Sequence, residues 1–169
     1  MFSHDTSGGL FTNDEDALSK NPDDPNAKLY STLKNLEDFR GADGSFNFKL
    51  CYPEVTGIGG SSCNEWIQTS NPATERTITG FKAIALAFTD ASYDTEWKGI
   101  GKSVARDSFI DDAPTISSWW TAIGAFKYYP VNSNSGKIPG PTPNAVTKVE
   151  LYVIPGPGMF KMFRNIFID

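Results

Sequence analysis

The side chains that most often perform catalysis are scarce in this sequence. The single histidine, His4, stands near the N-terminus, where we expect a mobile chain, and the only thiols are Cys51 and Cys63. Acid–base and nucleophilic catalysis usually need a histidine, a reactive cysteine or convergent carboxylates. The 20 Asp and Glu residues are scattered along the chain, so a glycosidase-like carboxylate pair is the one catalytic arrangement left open. We therefore expect a protein that is not an enzyme.

Three aspartates lie close together in the second half of the chain. Asp107, Asp111 and Asp112 offer the hard oxygen atoms that calcium takes as ligands. The alternative is a solvated turn in which the Asp side chains bind neighbouring backbone amides. The sequence thus allows Ca²⁺ as a cofactor, with these three residues as its ligands, and indicates no other cofactor.

A second group of residues combines aromatic rings with hydrogen-bonding side chains. Its predicted ligand-binding members are Asn64, Glu65, Trp97, Trp119, Tyr128 and Tyr129. A sugar ring needs flat aromatic faces for its C–H groups and polar partners for its hydroxyls, and such residues supply both. The alternative is that most of the aromatic residues belong to the core, which is favoured for Trp66 and Trp120. Tyr129 precedes Pro130 and a polar loop, so we expect it to be exposed.

The two cysteines are separated by a spacer rich in glycine and serine, with one proline. This spacer can fold back on itself, and a disulfide that closes a loop of this size stabilises a fold by roughly 3 kcal/mol. A zinc site is excluded because the chain has one histidine and two thiolates would leave the metal undercoordinated. The alternative is two unrelated buried thiols. We predict a Cys51–Cys63 disulfide, and with it a secreted, extracellular protein.

The charge of the chain narrows the choice of partner. The net charge is −5 and the isoelectric point is about 4.9, with no cluster of Lys and Arg residues. A nucleic-acid partner needs a basic face, and anionic membranes need one too, so both are disfavoured. No apolar run approaches the roughly 20 residues that a membrane-spanning helix needs. A glycan or an extracellular protein is the expected partner.

Composition and periodicity predict the fold class. With 15 Gly, 11 Pro and 12 Phe in 169 residues, the chain suits short strands joined by many turns. Helices are predicted over residues 12–20 and from Asp24-Pro25 to Gly41. Strands are predicted at 46–50, leading into Cys51, and at 66–68, 77–88, 98–104, 120–128 and 147–154. The prediction is an α+β protein, mainly antiparallel β in a twisted sheet or sandwich, with one or two N-terminal helices.

The chain is expected to form a single β-rich domain over residues 1–158. Residues 159–169 are strongly apolar and follow a Pro/Gly-rich stretch. We expect this C-terminal segment to pack on the domain, and the alternative is a contact with a partner that would make a homo-oligomer.

Several stretches resemble a group of marine-invertebrate extracellular proteins. They are residues 48–54 (FKLCYPE), 63–72 (CNEWIQTSNP), 119–126 (WWTAIGAF), 138–141 (IPGP) and 149–153 (VELYV). The resemblance, over residues 10–154, is to the region of coral skeletal organic matrix proteins associated with a fibrinogen C-terminal-like domain. It implies a fibrinogen-like fold as the alternative to a simple sandwich, and an extracellular location.

More distantly, Asp111-Asp112, Trp119-Trp120 and the strand at 149–153 are similar to the calcium-site region and last strand of fibrinogen-related lectins, including intelectin-like proteins. Those domains bind glycans or partner proteins, often with calcium. This sequence lacks the cysteine pair that usually brackets their binding pocket.

Taken together, these features predict a secreted recognition domain that binds a carbohydrate or a partner protein, assisted by calcium. Two alternatives stay open. One is a structural protein of a biomineral or adhesive matrix, and the other, less favoured, is an unrecognised hydrolase.

Overall fold

The structure, a computed structural model, describes residues 1–89, 97–104, 107–112, 121–129, 136–141 and 145–155. The strands within these ranges are β1 (Phe2–Asp5), β2 (Leu29–Ser31), β3 (Phe46–Cys51), β4 (Cys63–Gln68), β5 (Lys82–Leu86), β6 (Gly101–Lys102), β7 (Ser108–Asp111), β8 (Ile123–Ala125), β9 (Ile138–Pro139), β10 (Ala145–Val146) and β11 (Lys148–Val153). One α-helix, α1 (Asp14–Leu18), and the 3-10 helices Thr6–Gly8, Leu33–Phe39 and Ile58–Gly60 complete the described elements.

A six-stranded sheet with the order β2-β1-β11-β3-β4-β5 is the largest element. Every neighbouring pair in it is antiparallel. Strict alternation directs Phe46, Phe48 and Leu50 of β3 to the buried face, while Asn47 and Lys49 lie on the opposite face and are half-buried. The predicted mainly antiparallel β fold is confirmed.

The buried face of this sheet packs against a second layer. That layer contains a three-stranded antiparallel sheet, β6-β7-β8, and the two-stranded pair β9-β10 is antiparallel as well. A single hydrophobic cluster unites Phe48 and Leu151 of the large sheet with Ile110 and Ile123 of the small one. In the part of the chain that the structure describes, no helix is long and apolar enough to cross a membrane.

The first predicted helix is present but short. Asn13 caps α1 by accepting a hydrogen bond from the Asp16 N–H at 3.0 Å, and three acids follow in the first turn. The prediction of a second helix, from Asp24 to Gly41, is wrong. These residues form a turn, then strand β2, then the 3-10 helix Leu33–Phe39.

The predicted strands are confirmed in position, but most of them are shorter than the sequence indicates. β3 covers the predicted residues 46–50 and extends to Cys51, and β11 covers Lys148–Val153 of the predicted 147–154. By contrast, the predicted 77–88 strand contains only Lys82–Leu86, and the 98–104 strand only Gly101–Lys102. The predicted C-terminal segment 159–169 lies outside the described residues.

The disulfide between Cys51 and Cys63 is confirmed. The two residues are direct partners in the antiparallel β3–β4 register, and their Cα atoms are 4.1 Å apart. The bond therefore closes the base of the loop that joins the two strands.

One buried amide connects the large sheet to the segment that leads into the small one. Gln68 is fully buried, and its Oε1 accepts hydrogen bonds from Trp66 Nε1 at 2.8 Å and the Ile100 N–H at 3.1 Å. Its Nε2 donates to the carbonyl oxygens of Ser70 and Ile100, both at 2.9 Å. All the hydrogen-bonding groups of this side chain are thus used inside the core.

The prediction that His4 lies in a mobile N-terminal region is wrong. His4 lies in β1, fully buried, with its ring edge-on to Phe11 at 5.1 Å between ring centroids. Its Nε2 is 3.0 Å from the Gly9 carbonyl oxygen. Burial lowers the pKa of His4 to about 4, although the Gly9 hydrogen bond and Asp5 act in the opposite direction. The side chain is therefore neutral in the folded protein near pH 7.

This burial predicts that mild acid destabilises the fold. Because the unfolded histidine takes up a proton near pH 6.5 and the folded one only near pH 4, stability is lost as the pH falls between these values. We expect the free energy of unfolding to be about 2 kcal/mol lower at pH 5 than at pH 7. Urea denaturation at both pH values measures the difference. His4→Gln removes the titrating group and should flatten the pH dependence, whereas equal stability of the unmodified protein at both pH values would contradict the assignment.

Candidate functional site

Two of the predicted ligand-binding residues lie inside the core. Asn64 is fully buried, and its amide pairs with the backbone of Phe88 through two hydrogen bonds of 2.9 Å each. Trp97 is 3% exposed and packs edge-on against Trp66 at 5.0 Å between ring centroids. The described contacts give both residues a structural role, and ligand binding by them stays a prediction.

Glu65 lies on the opposite, outer face of the large sheet. Its carboxylate forms a cross-strand ion pair with Lys49, with 2.7 Å between Oε1 and Nζ. Since Asn64 and Glu65 are neighbours on one strand, their side chains point to opposite faces. The structure therefore does not bring these two predicted residues together in one site.

The remaining aromatic candidates are nearer to solvent. Tyr128 is half-buried and Tyr129 is 41% exposed, as expected for Tyr129. The Tyr129 N–H donates to the Lys137 carbonyl oxygen at 2.7 Å. Trp119 lies outside the described residues, as does Trp120.

The three predicted calcium ligands have different surroundings. Asp107 forms an ion pair with Lys127 at 2.6 Å, whereas Asp111 and Asp112 are buried, 3% and 8% exposed. Within the described ranges, no group of three or more His, Cys, Asp or Glu residues is arranged to hold a metal ion. Calcium binding at these residues stays a prediction without support from the described geometry.

A polar cleft, which the sequence does not indicate, opens where four separate parts of the chain meet. Its volume is about 620 Å³, and its walls are Thr12, Asn13, Asp14, Glu15, Arg76, Lys102, Ser103, Ser108 and Phe126. They come from the start of α1, the loop before β5, the β6–β7 hairpin and the end of β8. We call this feature the polar cleft.

The rim of the polar cleft at α1 is held by a hydrogen-bond network centred on Asp16. Its Oδ2 accepts hydrogen bonds from the Thr12 N–H and hydroxyl, both at 3.1 Å, and its Oδ1 binds Lys20 at 2.6 Å. Although burial raises the pKa of Asp16, the hydrogen bonds from Lys20 and Thr12 outweigh it and lower this pKa. Asp16 therefore stays ionised near neutral pH and fixes the rim.

Charged groups of both signs face each other across the polar cleft. Lys102 Nζ is 3.3 Å from Asp14 Oδ2 and 5.5 Å from the centroid of the Phe109 ring, so its position is defined. Arg76 and Glu15 are exposed, and neither side chain forms a hydrogen bond or an ion pair with the described residues. These two side chains are available to a ligand.

One residue that lines the polar cleft has a buried hydroxyl. Ser108, the first residue of β7, is 3% exposed, and its Oγ has no hydrogen-bond partner among the described residues. Phe126, another residue of the walls, provides an apolar surface, and its N–H donates a 2.7 Å hydrogen bond to the Asp107 carbonyl oxygen. The polar cleft thus combines hydroxyl, amide, carboxylate and guanidinium groups with one aromatic ring.

Comparison with known proteins gives no information about the function of this chain. No protein family, no curated protein and no solved structure matches the chain. The fibrinogen-like and coral-matrix resemblance therefore stays a prediction.

Proposed function

We propose that this protein is a secreted, non-catalytic recognition domain that binds a neutral saccharide in the polar cleft. The observation that carries the proposal is the composition of the walls, in which eight of the nine residues are polar and the ninth, Phe126, is aromatic. Sugar-binding sites need groups that donate to and accept from hydroxyls, next to an apolar surface for the C–H face of a ring.

Charge supports a neutral rather than an acidic sugar. The walls carry two cations, Arg76 and Lys102, and two anions, Asp14 and Glu15, so their formal charges cancel. The whole chain has a net charge of −5, which repels anionic ligands at long range. Charged side chains of both signs can still hydrogen-bond to hydroxyls, and such bonds are stronger than those between neutral groups.

An extracellular location is the second part of the proposal. The disulfide between Cys51 and Cys63 supports it, because disulfides persist mainly in oxidising compartments.

Arg76 provides the most direct test, because its guanidinium is exposed and is not needed by the described fold. We expect Arg76→Ala to weaken saccharide binding roughly tenfold or more, the effect of losing one charge-assisted hydrogen bond. Isothermal titration calorimetry with lactose, maltose and N,N′-diacetylchitobiose measures it, with a glucuronate-containing disaccharide as the acidic comparison.

Lys82→Ala is the matched control, since it also removes an exposed cation but lies on β5, outside the walls of the polar cleft. It should bind as the unmodified protein does. The absence of binding to every neutral sugar tested, or equal affinity of the Arg76 variant and the unmodified protein for the sugar that binds, would overturn the proposal.

A further inference from the structure

Ser108 differs from other buried serines of this protein in its hydrogen bonding. The Ser31 hydroxyl donates to the Ala17 carbonyl oxygen at 2.5 Å. The Ser70 hydroxyl oxygen accepts from Gln68 Nε2 at 3.2 Å and from the Thr79 N–H at 3.0 Å. Ser108 Oγ, in contrast, has no partner among the described residues, although Ser108 is as buried as these two.

A buried hydroxyl without a partner costs free energy, so folded proteins rarely keep one. Alanine would fill the same position at the start of β7 without that cost. The position of Ser108 in the wall of the polar cleft supplies a reason for the hydroxyl. A serine hydroxyl needs only a rotation about one side-chain bond to change its partner, and it both donates and accepts.

We infer that Ser108 is the anchoring residue of the polar cleft, and that its hydroxyl exchanges a hydrogen bond with a hydroxyl group of the bound saccharide. This inference rests on the proposed function. The neighbouring backbone supports the placement, because Ser108 pairs with Ala125, the residue before Phe126. Ser108 and Phe126, the aromatic residue of the walls, therefore line the same cleft, which a bound sugar ring would occupy.

In the free protein the Ser108 hydroxyl has no hydrogen-bond partner among the described residues, and in the complex the saccharide provides one. Removing the hydroxyl should thus keep or raise the stability of the free protein and lower its affinity for the saccharide. A serine whose role is structural would not show this, since removing its hydroxyl lowers stability and leaves affinity unchanged.

Ser108→Ala and Ser31→Ala form a matched pair that separates the two roles. The melting temperature of each free variant is measured by calorimetry, and its affinity is measured with whichever of lactose, maltose and N,N′-diacetylchitobiose binds the unmodified protein. For Ser108→Ala we expect an unchanged or higher melting temperature and roughly tenfold weaker binding, as one lost hydrogen bond predicts. For Ser31→Ala we expect a lower melting temperature and unchanged affinity.

Each outcome decides one of the two proposals. A Ser108→Ala variant that melts as far below the unmodified protein as Ser31→Ala does would assign the hydroxyl a structural role and overturn the inference. Unchanged sugar affinity in Ser108→Ala would also overturn it, while leaving the proposed function intact. If the unmodified protein binds none of the three sugars, the proposed function fails and the anchoring role falls with it.

Discussion

Replacing Gln68 by methionine should lower the free energy of unfolding by about 4 kcal/mol. Methionine fills nearly the same volume, so the loss comes from hydrogen bonding and not from a cavity. The Trp66 indole and the Ile100 N–H lose their acceptor, and the Ser70 and Ile100 carbonyl oxygens lose their donor. Each buried group left unsatisfied costs about 1–3 kcal/mol, partly relieved by relaxation.

Chemical denaturation of the Gln68→Met variant measures this loss. Lys82→Met is the control, because it places the same side chain on an exposed strand position and should change stability by less than about 0.5 kcal/mol. Equal stabilities of the two variants would show that the Gln68 network does not join the layers of the fold.

Removing the disulfide with the double variant Cys51→Ser, Cys63→Ser should lower the free energy of unfolding by about 3 kcal/mol. The bond spans a sequence separation of 12 residues, and its loss gives the unfolded chain more conformations. The native strands remain paired by their own hydrogen bonds, so we expect the variant to fold.

Reductant provides the control for this prediction. It should lower the stability of the unmodified protein to that of the double variant and leave the double variant unchanged. A protein that unfolds at the same denaturant concentration with and without reductant would contradict a stabilising role for the bond.

Local patterns account for the parts of the fold that could be predicted. Strict alternation in residues 46–50 and in Lys148–Val153 specifies half-buried strands, because one face of the sheet is covered and the other is not. The cysteine spacing suits a strand–loop–strand unit, and the two residues are indeed direct partners in the β3–β4 register. In each case the decisive interactions lie close together in the sequence.

The helix predicted from Asp24 to Gly41 failed because its apolar spacing fits two structures. Leu29, Leu33 and Leu36 would line one face of an α-helix, but they equally suit a short strand followed by a 3-10 helix. Pairing of Leu29–Ser31 with β1, more than twenty residues earlier, decides between them. Such a long-range contact leaves no local signal, and it also explains why His4 of β1 is buried.

The polar cleft could not be predicted for a related reason. Its walls come from parts of the chain between residues 12 and 126, and long-range contacts bring them together, such as the Lys102–Asp14 ion pair and the hydrogen bond from the Lys102 N–H to the Glu75 carbonyl oxygen. The predicted aromatic and amide group, by contrast, rests on residue type alone. Asn64 and Trp97 have side chains that could bind a sugar, but both are buried and pack inside the core.

The most direct test of saccharide recognition is a nuclear magnetic resonance titration of the ¹⁵N-labelled protein with lactose, maltose and N,N′-diacetylchitobiose. The proposed function predicts saturable shifts of the backbone amide signals of Arg76, Ser103 and Ser108 with at least one of these sugars, while the signal of Glu65 on the outer sheet face stays unchanged. Shifts confined to the outer face, or no saturable shift with any of them, would contradict the account.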